Sequence, residues 1–226
     1  MSKPTRVLII GAGGQAREVR FVLEQLTAAG QAFEFAGFVV SDMALLGDRD
    51  SRDAVVGDLS FLRTHRNQFD ALALGIGTPS VRLKLAAEIE SSFDRDLWPP
   101  LVHPSVILDR GSCLIGHGVL LCPGVVATVN VTFGAHSMVN TGCTIGHETS
   151  LGRGCVVNPG SNLSGGVVIE EGVMIGTGSQ VLQYRRVGAG ATVGAGAVVT
   201  RDVLAGSTVV GIPARSVHKT PPGFTE

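Results

Sequence analysis

The sequence predicts an α/β unit joined to a parallel β-solenoid, and three observations carry that reading. Residues 1–100 alternate strand and helix signals around the cluster Gly11-Ala12-Gly13-Gly14. From Ile115 onward an aliphatic residue returns at every sixth position. Glycine is abundant, at 31 residues, while aromatics make up only 5%, which implies many tight turns around a core of small aliphatic side chains.

In the first hundred residues, Arg6–Ile10 is a short apolar run that meets the glycine cluster. A helical stretch from Gln15 to about Ala29 follows, then a second strand at Phe33–Val40 and a third at Ala71–Ile76. From Pro79 to about Ser91, Val81, Leu85 and Ile89 recur at helical spacing. Strand, glycine turn, helix and strand in that order describe a parallel α/β unit. Leu97–Val102, broken by Pro99-Pro100, reads as a hinge, dividing the chain into residues 1–100 and 101–226.

The second half keeps a stricter period. The series Ile115, Leu121, Ala127, Phe133, Val139, Ile145, Leu151, Val157, Leu163, Ile169, Ile175, Val181, Val187, Val193, Val199 contains no polar residue. A helix of 3.6 residues per turn scatters a six-residue period around its surface, and a flat strand needs only alternation. Six residues fit one face of a triangular coil, so fifteen hexads make about five coils. Two positions before each aliphatic stands a small residue, from Cys113 and Val119 to Ala191 and Ala197, with Arg185 the one exception. Cys113, Cys143 and Cys155 fall in this ladder and read as small core residues.

A formal net charge of −1 provides no general attraction for nucleic acid. No apolar run approaches the length of a membrane span, and Met1–Arg6 leads directly into the first strand without the pattern of a signal peptide. A cytoplasmic location with reduced thiols is the resulting expectation.

With the register set, the chain resembles the family of sialic-acid O-acetyltransferases and nucleotide-amino-sugar N-acetyltransferases. The resemblance rests on Gly11-Ala12-Gly13-Gly14, Val102-His103-Pro104-Ser105, Asn140-Thr141-Gly142 with His147-Glu148, and the stretch from Val193-Gly194 to Gly211-Ile212-Pro213-Ala214-Arg215. It implies a small Rossmann-like domain before a left-handed parallel β-helix, a homotrimer, and acetyl-CoA and a nucleotide-linked amino sugar as substrates. It further implies direct attack by the amine without an acyl-enzyme, His147 as general base and Glu148 as its orienting carboxylate. Imidazole suits the task because it titrates near neutrality. Asn140 has two readings, a substrate or cofactor contact and a member of an asparagine ladder. Gly11, Gly13, Gly14, Asp42 and Gly77 are the expected nucleotide-sugar residues. Gly165, Gly176, Gly194, Arg185 and Arg215 are the expected CoA residues, Arg185 standing in a loop that turns it outward to a phosphate or simply to solvent.

The chain departs from the family at four places. Gln15 stands where the glycine loop usually ends in histidine, and Val39-Val40-Ser41-Asp42 has one acidic residue where a pair is common. Val156 stands where a second histidine usually follows the first by nine residues, and Leu182-Gln183-Tyr184 where a Leu-Pro-Gly turn is usual. Of the other histidines, His65 and His218 read as surface residues and His103 as a structural hydrogen-bonding residue. His117 and His136 sit near coil corners, nineteen apart and without the close pair of a zinc site, so no metal is expected. Two alternatives stand beside amine acetylation: transfer to a sugar hydroxyl, and a non-catalytic scaffold that binds a nucleotide sugar.

Overall fold

The computed structural model describes residues 3–217; the tail that holds His218 lies outside the described residues. The first half is a four-stranded parallel sheet of β1 (Thr5–Ile10), β2 (Phe33–Val40), β3 (Val55–Asp58) and β4 (Ala71–Leu74), in the order β3-β2-β1-β4. Helices α1 (Gly14–Ala28), α2 (Leu59–Thr64) and α3 (Pro79–Glu90) follow β1, β3 and β4. α1 buries Ala16, Val19, Val22, Leu23 and Leu26, a helical stripe against the sheet. β4 ends at Leu74, two residues earlier than its hydrophobic run, because Gly75 packs on α1: a Cβ there would lie 2.6 Å from Ala16. β3 is an edge strand of four residues that the sequence pattern did not mark; Gly57 interrupts it and packs against Phe61.

The second half is a left-handed parallel β-helix of two-residue rungs on three faces. The first face runs from Leu101–Val102 through Leu120–Leu121, Met138–Val139 and Val156–Val157 to Thr208–Val210. The second runs from Val126–Ala127 through Thr144–Ile145 to Val198–Val199, and the third from Leu114–Ile115 through Ser150–Leu151 to Arg186–Val187. Rungs pair in parallel with the residue eighteen further on, as Met138 with Val156 and Thr144 with Asn162. The last coil is shorter: Val187 bridges to Val203, and Thr192 pairs with Thr208.

The interior is the double ladder of aliphatic and small residues. Ile145, Leu151 and Val157 are buried, as are Cys143, Cys155 and Ser161. Polar members of the small ladder satisfy themselves on backbone, Ser161 Oγ donating to Gly176 O at 2.8 Å and Thr149 Oγ1 to Ser164 O at 3.0 Å. Burial pushes the Cys143 thiol up to about 11 and that of Cys155 up to about 12, which keeps both protonated and inert. Arg185 does not open a loop. The coil continues in register through Arg186–Val187 while the half-buried Arg185 guanidinium turns back, Nε donating to Gln183 O at 3.2 Å and Nη1 lying 3.6 Å from Asp202.

The two halves share their packing. Leu120, Met138 and Val156 on the first face join Val19, Val22 and Leu26 of α1 in one apolar cluster. Leu97–Val102 is therefore no hinge: Leu97 and Trp98 are buried in the α/β core, and Leu101–Val102 is the first rung. On the second face the three middle outward positions are polar, Thr144, Asn162 and Gln180 forming a hydrogen-bonded ladder between the outward Val126 and Val198.

At the corner between the third and first faces, Glu90 at the end of α3 grips three successive coils. Its Oε1 accepts from His117 Nε2 at 2.9 Å and His136 Nε2 at 2.6 Å, and its Oε2 accepts from Arg153 Nη2 at 2.7 Å. His117 and His136, distant in sequence, thus stand one coil apart with ring centroids at 4.9 Å. Beside them Arg82 is fully buried and donates to the carbonyls of His136, Leu74 and Ile76. Among the described residues its charge meets only carbonyl oxygens, and burial lowers its pKa to about 10.

This cluster makes the docking pH-dependent. Burial lowers the pKa of His136 to about 4, against the pull of Glu90. Burial also raises that of Glu90, but hydrogen bonds from His136 and His117 outweigh it and hold the carboxyl below its ordinary range. Between pH 6.5 and 4 the unfolded chain therefore binds more protons than the folded one, so stability is full above that window and lost as pH falls through it. The His136 contribution is about 3 kcal/mol from its shift alone. The thermal midpoint should fall from pH 7 to pH 5, and His136→Asn, which tolerates the same left-handed backbone, should flatten that slope.

Candidate active site

Each corner of the β-helix turns through one residue of positive φ, a conformation that costs an L side chain about 1 kcal/mol or more and glycine little. At the corner between the first and second faces every such residue is glycine, from Gly124 and Gly142 to Gly196. At the corner between the third and first faces only His136 departs from glycine. The corner between the second and third faces is different: in successive coils it places Asn130, Glu148, Gly166 and Tyr184, with φ of 58°, 60°, 67° and 58°. Three of its four positions hold a residue other than glycine, which sets this corner apart from the other two.

His147 and Glu148 stand there, both exposed, with His147 Nδ1 3.4 Å from Glu148 Oε2. The other imidazole nitrogen, Nε2, lies over Gly165 one coil below, so closely that a Cβ on Gly165 would overlap it. Tyr184 approaches from the opposite side, its ring over the Cα of Gly166, where a Cβ would meet Cε1 at 2.5 Å. Gly165-Gly166 is thus a bare notch between an imidazole and a phenol ring. The N–H of Gly166 donates to His147 O, whereas that of Gly165 has no backbone acceptor among the described residues. An imidazole nitrogen and a backbone N–H without a backbone acceptor thus belong to the same corner of adjacent coils.

The other expected residues fall in separate places. Asn140 is 4% exposed at the corner between the first and second faces, and its Nδ2 donates to Asn158 Oδ1 at 3.4 Å, so within one chain it belongs to an asparagine ladder. Gly176 and Gly194 lie on that same corner, not beside His147. A Cβ on Gly176 would lie 2.5 Å from Ala195 N, a purely structural reason for glycine. Arg215 lines a groove at the C-terminal end with Arg201, Asp202, Leu204 and Ser207. Neither Arg201 nor Arg215 makes an ion pair among the described residues, whereas Arg186 is paired with Glu170.

In the α/β half, a cleft of about 200 Å³ opens at the C-terminal ends of β1, β2 and β4, where strand order reverses across β1. Gly11, Gly13, Asp42, Asp50 and Ile76 line it. Gly11 has φ of 108°, and a Cβ there would lie 3.0 Å from Gly75 O. Gly13 caps α1 without a side chain, leaving the first-turn N–H groups of Gly14 and Gln15 without backbone acceptors among the described residues. Asp42 caps the next turn, accepting from Ala44 N at 2.8 Å. Asp50, which no strand or motif signalled, lies against Gly13. Gln15 reaches across to Gly77, and its buried Nε2 has no acceptor among the described residues.

Glu90, His117 and His136 also form a group of three metal-capable ligands, two of them the histidines that sequence spacing had set apart. Arg153 holds the second carboxylate oxygen, and His136 Nδ1 has no acceptor to orient a metal-bound ring.

No protein-family model and no curated protein matches the chain. Solved structures do. PerB from Caulobacter crescentus, in complex with CoA and GDP-perosamine, is 33% identical with a TM-score of 0.80, over 94% of this chain and 97% of that one. WeeI from Acinetobacter baumannii AYE is 31% identical with a TM-score of 0.78, over 94% and 100%. The acetyltransferase domain of PglB from Neisseria gonorrhoeae FA1090, in complex with acetyl coenzyme A, is 28% identical with a TM-score of 0.80, over 95% and 100%.

The corner strain is open to direct measurement. Glu148→Gly should raise thermal stability by about 1 kcal/mol, since glycine relieves the positive φ. A lower melting temperature would show that Glu148 stabilises the corner instead.

Proposed function

Because the chain belongs to the hexapeptide-repeat family of nucleotide-sugar N-acetyltransferases, we propose that it acetylates the amino group of a nucleotide-linked sugar, using acetyl-CoA and His147 as general base. The observation that carries this reading is His147 Nε2 poised over Gly165, with its Nδ1 toward Glu148. The thioester carbonyl sits in the Gly165-Gly166 notch, where the free Gly165 N–H stabilises the developing oxyanion. The amine lone pair attacks the carbonyl carbon, the new C–N bond forms, and the amine proton passes to Nε2. The C–S bond then breaks, and the departing CoA sulfur takes up a proton. Glu148 orients the imidazole and stabilises its charged form. The buried cysteines take no part.

The diphosphate sits at the N-terminus of α1, on the free N–H groups of the glycine loop. Asp42 and Asp50 face the ribose and base, and Gln15 with Gly77 closes the side toward the sugar. In one chain the α/β half covers the first face, while His147 is on the opposite corner. A nucleotide sugar in the cleft therefore meets the His147 of a neighbouring copy, which supports a homotrimer with sites shared between subunits. Asn140, distant from His147 in its own chain, serves the neighbour's site in the same way.

Purified protein should release thiol from acetyl-CoA only in the presence of a matching nucleotide-linked amino sugar. His147→Ala should lower kcat by about 10²–10⁴-fold. Gly165→Ala, which forces the imidazole aside, should approach that loss with little change in melting temperature. Release with free sialic acids but not with amines would favour hydroxyl acetylation, and none with either would favour a scaffold. Gly13→Asp adds a helix cap but sets a negative charge in the diphosphate seat. Mixing it with His147→Ala under conditions of subunit exchange should restore activity, since some sites then combine an intact cleft with an intact base. No recovery despite proven exchange would place both in one chain.

A further inference from the structure

Tyr184 is left unused by that mechanism, and several observations about it point one way. It is 64% exposed and holds φ of 58° at a turn position where the preceding coil has Gly166. Its hydroxyl makes no hydrogen bond among the described residues. Its ring rests on the Cα of Gly166, so it forms the side of the notch that faces away from His147. A shallow groove of Leu182, Gln183, Tyr184, Arg185 and Thr200 continues from it along the wall. Beyond that, Arg201 and Arg215 offer unpaired guanidinium groups at the C-terminal end. His147, Gly165, Gln183 and Arg201 follow one another at eighteen-residue steps along this corner. At a strand spacing of about 4.8 Å, Gly165 and Arg201 are roughly 10 Å apart, within reach of one pantetheine arm.

We propose that Tyr184 is a binding residue for the pantetheine arm of the acyl donor, a platform that holds the arm between the Gly165-Gly166 notch and the arginines at the C-terminal end. The inference rests on the acetyl-CoA reading above. An aromatic face adds apolar contact along a chain that alternates methylene and amide groups. It explains why a strained, exposed tyrosine stands where glycine carries no strain. It also reassigns Arg185 and Arg186: the first turns toward Asp202 and the second pairs with Glu170, so they frame the groove while Arg201 and Arg215 meet the phosphates.

The test pairs Tyr184→Gly with Tyr184→Phe, read by calorimetric titration with CoA, steady-state kinetics, thermal melting and sedimentation. Tyr184→Gly should weaken CoA binding and raise the KM for acetyl-CoA by about 5–10-fold, a typical value for one lost aromatic contact. The kcat and the KM for the sugar should stay within about twofold, and the melting temperature should hold or rise as the strain is relieved. Tyr184→Phe should behave like the unaltered protein. CoA binding by Tyr184→Gly as tight as that of the unaltered protein would overturn the platform and leave the proposed function standing. Weaker binding together with a lower melting temperature or a smaller assembly would also overturn it, since the ring would then be structural. Failure of the unaltered protein to bind CoA would overturn both readings.

Discussion

A six-residue side can close into a three-faced coil only if the backbone reverses at each corner through a left-handed conformation. Glycine meets that constraint without strain, and two of the three corners are lined almost entirely by it. The third corner is built from Asn130, Glu148 and Tyr184 around a single glycine. His147, Glu148 and the Gly165-Gly166 notch all stand on that edge. On the proposed function the solenoid separates two tasks: its interior supplies stability through an apolar stack, and the proposed chemistry falls on one strained edge.

The α/β half completes this division by covering the first face and no other. Its hold is partly apolar, through α1, and partly polar, through Glu90 and Arg82. The polar part is costly, since a buried guanidinium and a neutral buried histidine are both unfavourable in isolation. It provides register. One carboxylate shared by three coils ties the position of the α/β cleft to the solenoid axis.

Much of this was legible in the sequence wherever the signal was periodic. The hexad assigned the interior rungs from Ile115 to Val199 and placed His147 at a turn, because a repeating coil converts sequence position directly into spatial position. It missed Leu101–Val102 and Thr208–Val210, which lie beyond the strict period. Glycine after β1 marked the cleft for a similar local reason. What stayed hidden depends on contacts between distant segments. Nothing near Glu90 announces that it meets His117, His136 and Arg153, and Asp50 reaches the glycine loop only through an irregular turn. The four residues of β3 were too few, and interrupted by Gly57, to register as a strand. Asn140 illustrates a subtler limit: seven residues from His147 is close in sequence, yet a coil of six-residue sides puts the two on different corners.

The regular stacking has an evolutionary consequence. Neighbouring coils differ by a translation of about 4.8 Å with almost no change in the direction a side chain points. A residue can therefore be transferred to the equivalent site eighteen positions away and keep its orientation while its height changes by one fixed step. Recognition of longer or shorter substrates can then be altered in discrete increments, by exchanging side chains along one column instead of reshaping a pocket. Tyr184, one step from Gly166 in a column that also holds Asn130 and Glu148, shows how freely such a column varies.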